Sequence, residues 1–301
     1  MTLQGPIVVT GAGGFVGRAL VARLGVPHDA LHLGVSDWRE RIDAASFAGA
    51  TVFHLAARVH SHGSDDAAFT HDNRDKTVAL AEAASRKGAR RFIFVSSVKA
   101  MGEETRDAPF TADDAAEPVD AYGRSKLAAE RGLADVARSS SLEYTIVRAP
   151  LVLGAGAKGN LASLLRACDS PWPLPFGALR NRRSFVHVDD LARLLVLCAE
   201  SRAANAHTYL AAHRDPFSTR ELVERVRESL HRPPRLFDVP PRWLERLGAV
   251  VGRSDAVRRL TRSLELDPGD AQRDLAWRAE RDLRSAVAEM VEAYREGRRR
   301  A

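Results

Sequence analysis

The feature that most constrains the fold of this chain is a glycine-rich loop near its start. The apolar run IVVT (residues 7–10) leads into GAGGFVG, in which Gly11, Gly14 and Gly17 stand at every third position before a helical pattern. Glycines allow a tight turn and a close approach to a pyrophosphate, and the helix N-terminus adds free N–H groups and the positive end of a dipole. The sequence therefore predicts a strand–loop–helix unit that binds a dinucleotide.

The next 130 residues alternate between short apolar runs and segments long enough for helices. The predicted strands after the first are residues 51–57, 91–97 and 144–150. Short buried strands separated by helices are typical of βαβ units, whose parallel sheet is covered on both faces. We therefore predict the α/β class, with a doubly wound, Rossmann-like parallel sheet.

The composition changes beyond the predicted sheet, where glycines and prolines crowd residues 154–177. We predict a dinucleotide-binding domain over residues 1–150, to which residues 185–210 return. A smaller C-terminal lobe that binds the substrate is predicted from residues 151–184 and 211–301. The active site should lie between the two, where ligands of open α/β sheets bind.

A second motif, YGRSK, places Tyr122 and Lys126 one helical turn apart on the same face. A phenol has a pKa near 10 and is a poor base at neutral pH, but a neighbouring ammonium favours the phenolate. Ser97 ends the predicted strand RFIFVSS, at the sheet edge where ligands bind. We therefore predict Ser97, Tyr122 and Lys126 as the catalytic residues of a proton-transfer site.

With these motifs the chain resembles the extended short-chain dehydrogenases/reductases of the NAD-dependent epimerase/dehydratase type, in particular the nucleotide-sugar members. The motifs TGAGGFVG, FHLAA, FVSS, YGRSK, VRAPLVLG and RRSFVHVDDLA carry the resemblance over nearly the whole length. It implies that Tyr122 is the general base and acid at a sugar oxygen and that Ser97 orients this oxygen. Lys126 would also hold the nicotinamide ribose.

The resemblance implies NAD or NADP as the cofactor. The residues that would line its site besides Lys126 are Gly11, Gly14, Phe15, Val16, Gly17, Leu55, Ala56, Ala57 and Asn73. The HLAA residues match the turn beneath the cofactor phosphates. Asn73 matches an asparagine on the helix behind the site, although a solvated helical asparagine is an equal alternative.

The implied substrate is a nucleoside-diphosphate sugar, with UDP favoured as the nucleotide. Asn160 and Arg183 match positions that contact the diphosphate in relatives, and Ser97 would touch the sugar. An arginine fork suits bidentate binding of phosphate, although Arg183 has two basic neighbours and could lie on a solvated surface. Asp190 is expected to have a structural role.

The segment between the first helix and the strand at residue 51 is short, with about 26 residues after Leu24 and one strand candidate, ALHLGV. Relatives have two strands here, so one strand unit near residues 25–40 is missing or shortened. If the candidate is the second strand, Gly34 replaces the ribose-binding acid, or the position shifts to Ser36 or Asp37. If it is the third, the second is deleted. We favour the latter, which leaves the selection between NAD and NADP open.

The expected reaction is hydride chemistry at C4 of the sugar, either reduction of a 4-keto group or 4-epimerisation. Reductase is slightly favoured, because an epimerase must hold its cofactor tightly. Dehydratase is less favoured, because Val98 and Lys99 stand where dehydratases have an acidic pair. The alternative is a cofactor-impaired, non-catalytic relative that senses nucleotides or binds a partner.

The composition, 45% hydrophobic and 28% charged with a net charge of +6, is that of an ordinary folded protein. The arginines are mixed with acids except in the tail REGRRRA, so we expect no nucleic-acid partner. No leader and no run long enough to span a bilayer is evident, so a cytoplasmic protein without a membrane partner is expected. Two distant cysteines predict neither a disulfide nor a metal site. The resemblance suggests a homodimer.

Overall fold

The computed structural model describes residue 3 and residues 5–59, 66–157 and 159–300, without the side chains of Asn160 and Arg300. Its strands are β1 (Ile7–Thr10), β2 (Asp29–Leu31), β3 (Thr51–His54), β4 (Arg91–Ser97), β5 (Glu143–Ala149), β6 (Leu151–Leu153), β7 (Phe185–His187) and β8 (His207–Leu210). Six of them form one sheet in the order β2-β1-β3-β4-β5-β8, and every neighbouring pair is parallel. The predicted α/β class with a doubly wound parallel sheet is confirmed.

Helices connect the strands and cover both faces of the sheet. They are α1 (Phe15–Leu24), α2 (Trp38–Ala44), α3 (Asp66–Phe69), α4 (Lys76–Arg86), α5 (Ala121–Arg138), α6 (Asn160–Asp169), α7 (Val188–Glu200), α8 (Thr219–Ser229), α9 (Pro241–Val250), α10 (Ser254–Thr261), α11 (Gly269–Leu275) and α12 (Leu283–Arg300). None of the described helices combines the length and the apolar composition needed to cross a membrane.

The two faces of the sheet have separate apolar cores. On one face α1 packs against α7, and Leu20, Leu191 and Leu195 meet the fully buried Trp277. On the other face α4 packs against α5, with Leu80 and Leu133 in the core. Because all six strands are parallel, their carboxyl ends share one edge, to which the loops after β1, β3 and β4 bring the predicted site residues.

The segment that the sequence left ambiguous forms a single short strand. β2 pairs directly with β1, with Val9 opposite Ala30, and no described strand lies outside it. The prediction of a missing strand unit is therefore confirmed. The favoured alignment, with the second strand deleted, stays a prediction, because under either alignment the one remaining strand would lie beside β1. Since β1 offers the free edge on this side, the remaining strand pairs there whichever of the two strands was lost.

A second layer of structure follows β5. β6 and β7 form a two-stranded parallel sheet, and α6, α8 and α12 pack together around an apolar cluster that includes Leu165, Val226 and Val287. Between β7 and β8 the chain returns to the main sheet through α7. The predicted domain boundaries stay a prediction. Asp190 of α7 accepts hydrogen bonds from the backbone N–H groups of Glu280 and Arg281, which ties the later helices to the sheet.

Candidate active site

The glycine loop has a shape that only small residues permit. Gly11 adopts a positive φ of +72°, and a Cβ there would lie 2.8 Å from the backbone nitrogen of Ala56. A Cβ on Gly17 would lie 2.0 Å from the carbonyl oxygen of Gly11. The N-cap of α1 is Gly14, which has no side chain to bond the first N–H groups of the helix, those of Phe15 and Val16 among them. This concave backbone with free N–H groups fits the pyrophosphate of a dinucleotide.

The turn after β3 lies directly beside this loop. The Thr10 hydroxyl at the end of β1 accepts hydrogen bonds from the backbone nitrogens of Leu55 and Ala56, both at 3.2 Å. Leu55 and Ala56 are half-buried, and Ala57 is exposed. The structure therefore brings the predicted HLAA turn and the glycine loop together at one strand edge.

A buried histidine continues this hydrogen-bond chain into the helical layer. The Nδ1 of His54 lies 2.6 Å from the Thr10 hydroxyl, and its Nε2 lies 2.8 Å from the Thr77 hydroxyl. The Thr77 hydroxyl donates to the carbonyl oxygen of Asn73, so it accepts from Nε2–H, and Nδ1 accepts from Thr10. Burial, with a smaller effect of Lys126, lowers the pKa of His54 to about 3. The imidazole is thus neutral.

This histidine should make the protein sensitive to acid. Its folded-state pKa lies below the unfolded value of 6.5, so its contribution to stability is complete above pH 6.5 and is lost as the pH falls towards 3. Between pH 8 and pH 5, the wild type should lose on the order of 2 kcal/mol more unfolding free energy than His54→Gln. Urea unfolding of both proteins at the two pH values measures this difference. Equal losses would show that His54 titrates normally.

Asn73 lies in a π-helical turn, Thr70–Asp75, between α3 and α4. Its side chain is only 1% exposed, so the alternative of a solvated asparagine is wrong. Its amide nitrogen donates to the Ser125 hydroxyl at 2.9 Å and to the Arg58 carbonyl, and its amide oxygen accepts from the Arg58 backbone nitrogen. Asn73 therefore joins the loop after β3 to the helix that carries Tyr122. Its predicted contact with the cofactor stays a prediction.

Ser97 and Tyr122 meet at the carboxyl end of β4. The Ser97 hydroxyl lies close enough to the Tyr122 phenol to lower its pKa, although the two residues belong to different elements. This approach depends on Gly123, because a Cβ there would lie 2.2 Å from the carbonyl oxygen of Lys99, two residues after Ser97. Asp120 caps α5 by accepting from the Gly123 nitrogen at 2.7 Å. The sequence analysis did not identify the roles of Gly123 and Asp120, although both flank the motif.

The pKa of Tyr122 is raised, whereas the sequence analysis expected Lys126 to lower it. Burial raises this pKa to about 12, the nearby Ser97 hydroxyl opposes the rise, and the Asp120 carboxylate adds to it. The Lys126 ammonium donates to the carbonyl oxygen of Val95 at 2.7 Å. Burial in turn lowers the pKa of Lys126 to about 7, against the effect of Glu130. The phenol therefore keeps its proton at neutral pH and is suited to act as an acid.

A buried ion pair supports the helix beneath these residues. Glu130 of α5 lies 2.7 Å from a guanidinium nitrogen of Arg148 on β5, and it also accepts a hydrogen bond from Ser96. The side chains of Glu130 and Arg148 are only 4% and 8% exposed. Such pairs are sensitive to the loss of either partner, because the remaining charge is left buried. The pair fixes α5 against β4 and β5, and thereby the position of Tyr122.

Arg183 lies near a group of charged side chains at the start of the Tyr122 helix. It is half-buried, and its guanidinium donates to the Arg262 carbonyl at 3.0 Å. Burial lowers the pKa of Arg183 to about 10, while the nearby Glu103 carboxylate raises it. Glu103 pairs with Lys99 at 2.7 Å, and Lys99 also pairs with Asp120, the cap of the Tyr122 helix. Arg183 is therefore not a solvated surface arginine, because it is half-buried and hydrogen-bonded. Its contact with a diphosphate stays a prediction.

For one predicted site residue the position of the side chain is not described. Asn160 begins α6, but its side chain is not among those described. The structure brings together the glycine loop, the HLAA turn, Asn73, Ser97, Tyr122 and Lys126 through the contacts given above. A parallel sheet with a dinucleotide-type loop beside Ser97, Tyr122 and Lys126 is the arrangement that the sequence predicted for a nicotinamide-dependent oxidoreductase, and the catalytic roles of the three residues stay a prediction.

The chain belongs to the NAD dependent epimerase/dehydratase family, whose model matches residues 7–212. NAD is the cofactor of this family, and the shape of the glycine loop fits it. The family match spans the main sheet from β1 to the end of β8.

Individual relatives cover nearly the whole chain. A Vibrio cholerae protein named UDP-glucose 4-epimerase is 33% identical over 96% of this chain and 95% of its own length. A Caulobacter vibrioides ceramide reductase is 28% identical over 82% of this chain and 78% of its own length. The structure of MoeE5 in complex with UDP-glucuronic acid and NAD superposes with a TM-score of 0.78, at 25% identity, over 97% of this chain and all of that one.

Proposed function

We propose that this protein is an NAD(P)-dependent oxidoreductase that acts at C4 of a nucleoside-diphosphate sugar, as a 4-keto reductase or a 4-epimerase. The observation that carries the proposal is the approach of Ser97, at the end of β4, to Tyr122, in the first turn of α5, at the sheet edge next to the glycine loop. A hydroxyl pair in this place can bind one oxygen of a sugar from two sides. The relatives named above that act on or bind UDP-sugars support UDP as the nucleotide.

In the proposed reduction, Ser97 orients the 4-keto oxygen and Tyr122 donates its phenolic proton to this oxygen. The bound nicotinamide supplies the hydride at C4. A phenol with a pKa of about 12 is protonated before the reaction, as an acid must be. Lys126 would hold the ribose and stabilise the phenolate that remains. Arg183 would bind the diphosphate with its guanidinium fork.

An epimerase has to oxidise the sugar first, so Tyr122 would have to start as a phenolate. The raised pKa of Tyr122 and the Lys126 hydrogen bond to Val95 make this start less favourable, which supports the reductase. The Vibrio cholerae relative, named as a 4-epimerase, supports the other reaction. Both reactions share the same residues and differ in how the cofactor is held.

The cofactor of the purified protein distinguishes these reactions. The protein is denatured, any released dinucleotide is identified by mass, and the emptied protein is titrated with NADH and NADPH. Retained NAD is the result expected of an epimerase, and an empty protein that binds NADPH is the result expected of a reductase. A protein that binds neither contradicts the proposal.

The second candidate is a non-catalytic, cofactor-impaired relative that senses nucleotides or binds a partner. The observation that favours it is that no strand of the described residues lies beside the outer edge of β2. Beyond the end of β2, the Asp37 carboxylate, one of the residues considered for the ribose, is paired with Arg41 at 3.0 Å. Failure to bind either dinucleotide in the titration would favour this candidate.

A homodimer through α4 and α5 also stays a proposal, which sedimentation equilibrium tests.

A further inference from the structure

Helix α9 presents apolar side chains to solvent. Trp243, Leu247 and Val250 are 50%, 58% and 84% exposed, and Val251 at the helix end is 64% exposed. Spacings of four and three residues place the first three on one side of the helix. We call these four residues the α9 stripe.

The opposite side of α9 is already occupied by α10. Gly248 is buried, and a Cβ there would lie 2.7 Å from a methyl carbon of Val257, so the two helices are in close contact. Leu244 is half-buried on the same side. The α9 stripe is therefore not turned towards α10, and the two helices form a hairpin with one apolar surface left exposed.

The hairpin is also basic. Residues 241–260 contain five arginines and only two acids, Glu245 and Asp255. Glu245 is paired with Arg262 at 2.7 Å, so its charge is compensated. The Arg246 guanidinium lies 5.3 Å from the centre of the Trp243 ring, beside the stripe. The exposed arginines of the hairpin are Arg242, Arg246, Arg253 and Arg258.

We propose that the α9–α10 hairpin docks this protein on the surface of an anionic lipid bilayer. Short helices with tryptophan and aliphatic residues on one face and arginines at its border lie in the membrane interface, where the apolar face enters the acyl boundary. The arginines then reach the lipid phosphates, and each basic residue near such a surface adds to the attraction. The overall charge of +6 acts in the same direction.

The location of the hairpin relates the docking to the candidate active site. Arg262 follows α10 directly, and its carbonyl accepts the hydrogen bond from Arg183. Arg259 of α10 is close enough to Arg183 to lower its pKa. Docking would therefore hold the Arg183 end of the site near the bilayer. Any effect of docking on access of the substrate to the site rests on the proposed function, whereas the docking itself does not.

Docking on a bilayer would give the protein a membrane partner, which the sequence did not lead us to expect. The expectation of no membrane partner came from the absence of a long apolar run, which excludes a spanning helix and leaves interfacial docking open. Only the structure indicates that the apolar residues of α9 are exposed, because the same pattern would equally suit a helix buried in a core.

Sedimentation with lipid vesicles tests the docking. The full-length protein should bind vesicles of phosphatidylcholine with phosphatidylglycerol, and binding should weaken with added salt and in pure phosphatidylcholine. Leu247→Glu should lower the affinity about tenfold or more, because it places a charge in the apolar face. Val26→Glu makes the same kind of change at a 38% exposed position outside the hairpin and should bind as the wild type does. Tyr122→Phe should also bind normally, whatever its activity.

Tryptophan fluorescence gives a local readout. Trp38 and Trp277 are buried, so in a Trp172→Phe background Trp243 is the exposed tryptophan among the four in the chain. Its emission should shift to the blue when anionic vesicles are added. No shift, or equal binding by Leu247→Glu and the wild type, would overturn the proposal. The proposal would also be overturned if the α9 stripe joined two copies of the chain. In that case the protein would not bind vesicles, and it would form a dimer that Leu247→Glu dissociates.

Discussion

Tyr122→Phe is expected to lower kcat/KM by about 100- to 10,000-fold, the range for loss of a general acid or base. The substitution removes only the phenolic oxygen, which in the protein meets the Ser97 hydroxyl. The ring itself packs edge-on against Phe69, with centroids 6.0 Å apart, and this contact is kept. The variant should therefore fold and bind the dinucleotide as the wild type does. Steady-state kinetics with a UDP-4-keto sugar and NADPH, or with UDP-glucose, measure the effect.

Tyr144→Phe is the matched control. Tyr144 lies near the start of β5, at the opposite end of the strand from the candidate active site, so the same loss of a hydroxyl should leave kcat/KM unchanged. If Tyr122→Phe retains full activity while Tyr144→Phe is also active, another group transfers the proton. If the wild type has no activity with any nucleotide sugar but binds one, the non-catalytic candidate gains support.

The sequence allowed the fold class and the main site residues to be predicted because their signals are local. The loop around Gly11 and Gly17 needs glycines for steric reasons that act within a few residues. Tyr122 and Lys126 are one turn apart on one helix, so their proximity follows from spacing alone. The approach of Tyr122 to Ser97 could be anticipated as well, because Ser97 ends a strand at the sheet edge where ligands bind and Tyr122 begins the next helix.

The groups that support the site could not be predicted, because their partners are distant in the sequence. His54 is paired with Thr10 and Thr77, and Glu130 with Arg148, in contacts that exist only after the sheet and helices assemble. A histidine in a strand or a glutamate in a helix carries no sign of its partner. The raised pKa of Tyr122 has the same origin, since burial is a property of the assembled fold.

The sheet position of the edge strand β2 was hard to predict for a different reason. A three-residue strand such as β2 has too few side chains for a clear period of two, so its sheet position depended on an uncertain alignment. Pairing with β1 decides the position through backbone hydrogen bonds, which carry almost no sequence information.

Gly17→Ala is expected to weaken dinucleotide binding about tenfold or more. In an ordinary helix, alanine would stabilise by about 1 kcal/mol relative to glycine. Here the new Cβ would lie 2.0 Å from the Gly11 carbonyl oxygen and 2.7 Å from that of Ala12, both backbone atoms that cannot rotate away. Overpacking of this kind costs about 1–3 kcal/mol, and it can be relieved only by moving the loop that forms the pyrophosphate site. The clash therefore outweighs the helix propensity.

Gly13→Ala in the same loop tests whether any glycine-to-alanine substitution there weakens binding, or only the one at Gly17. A Cβ on Gly13 meets nothing within 4 Å, and its φ is not positive, so alanine should fit without strain. Titration with NADH and NADPH, together with thermal unfolding, should show near-normal behaviour for Gly13→Ala and weak binding for Gly17→Ala. Because both variants differ from the wild type by one methyl group, equal affinities would mean that the close packing at Gly17 does not shape the cofactor site. Normal binding by Gly13→Ala with the loss in Gly17→Ala would instead locate the pyrophosphate at the backbone of this loop.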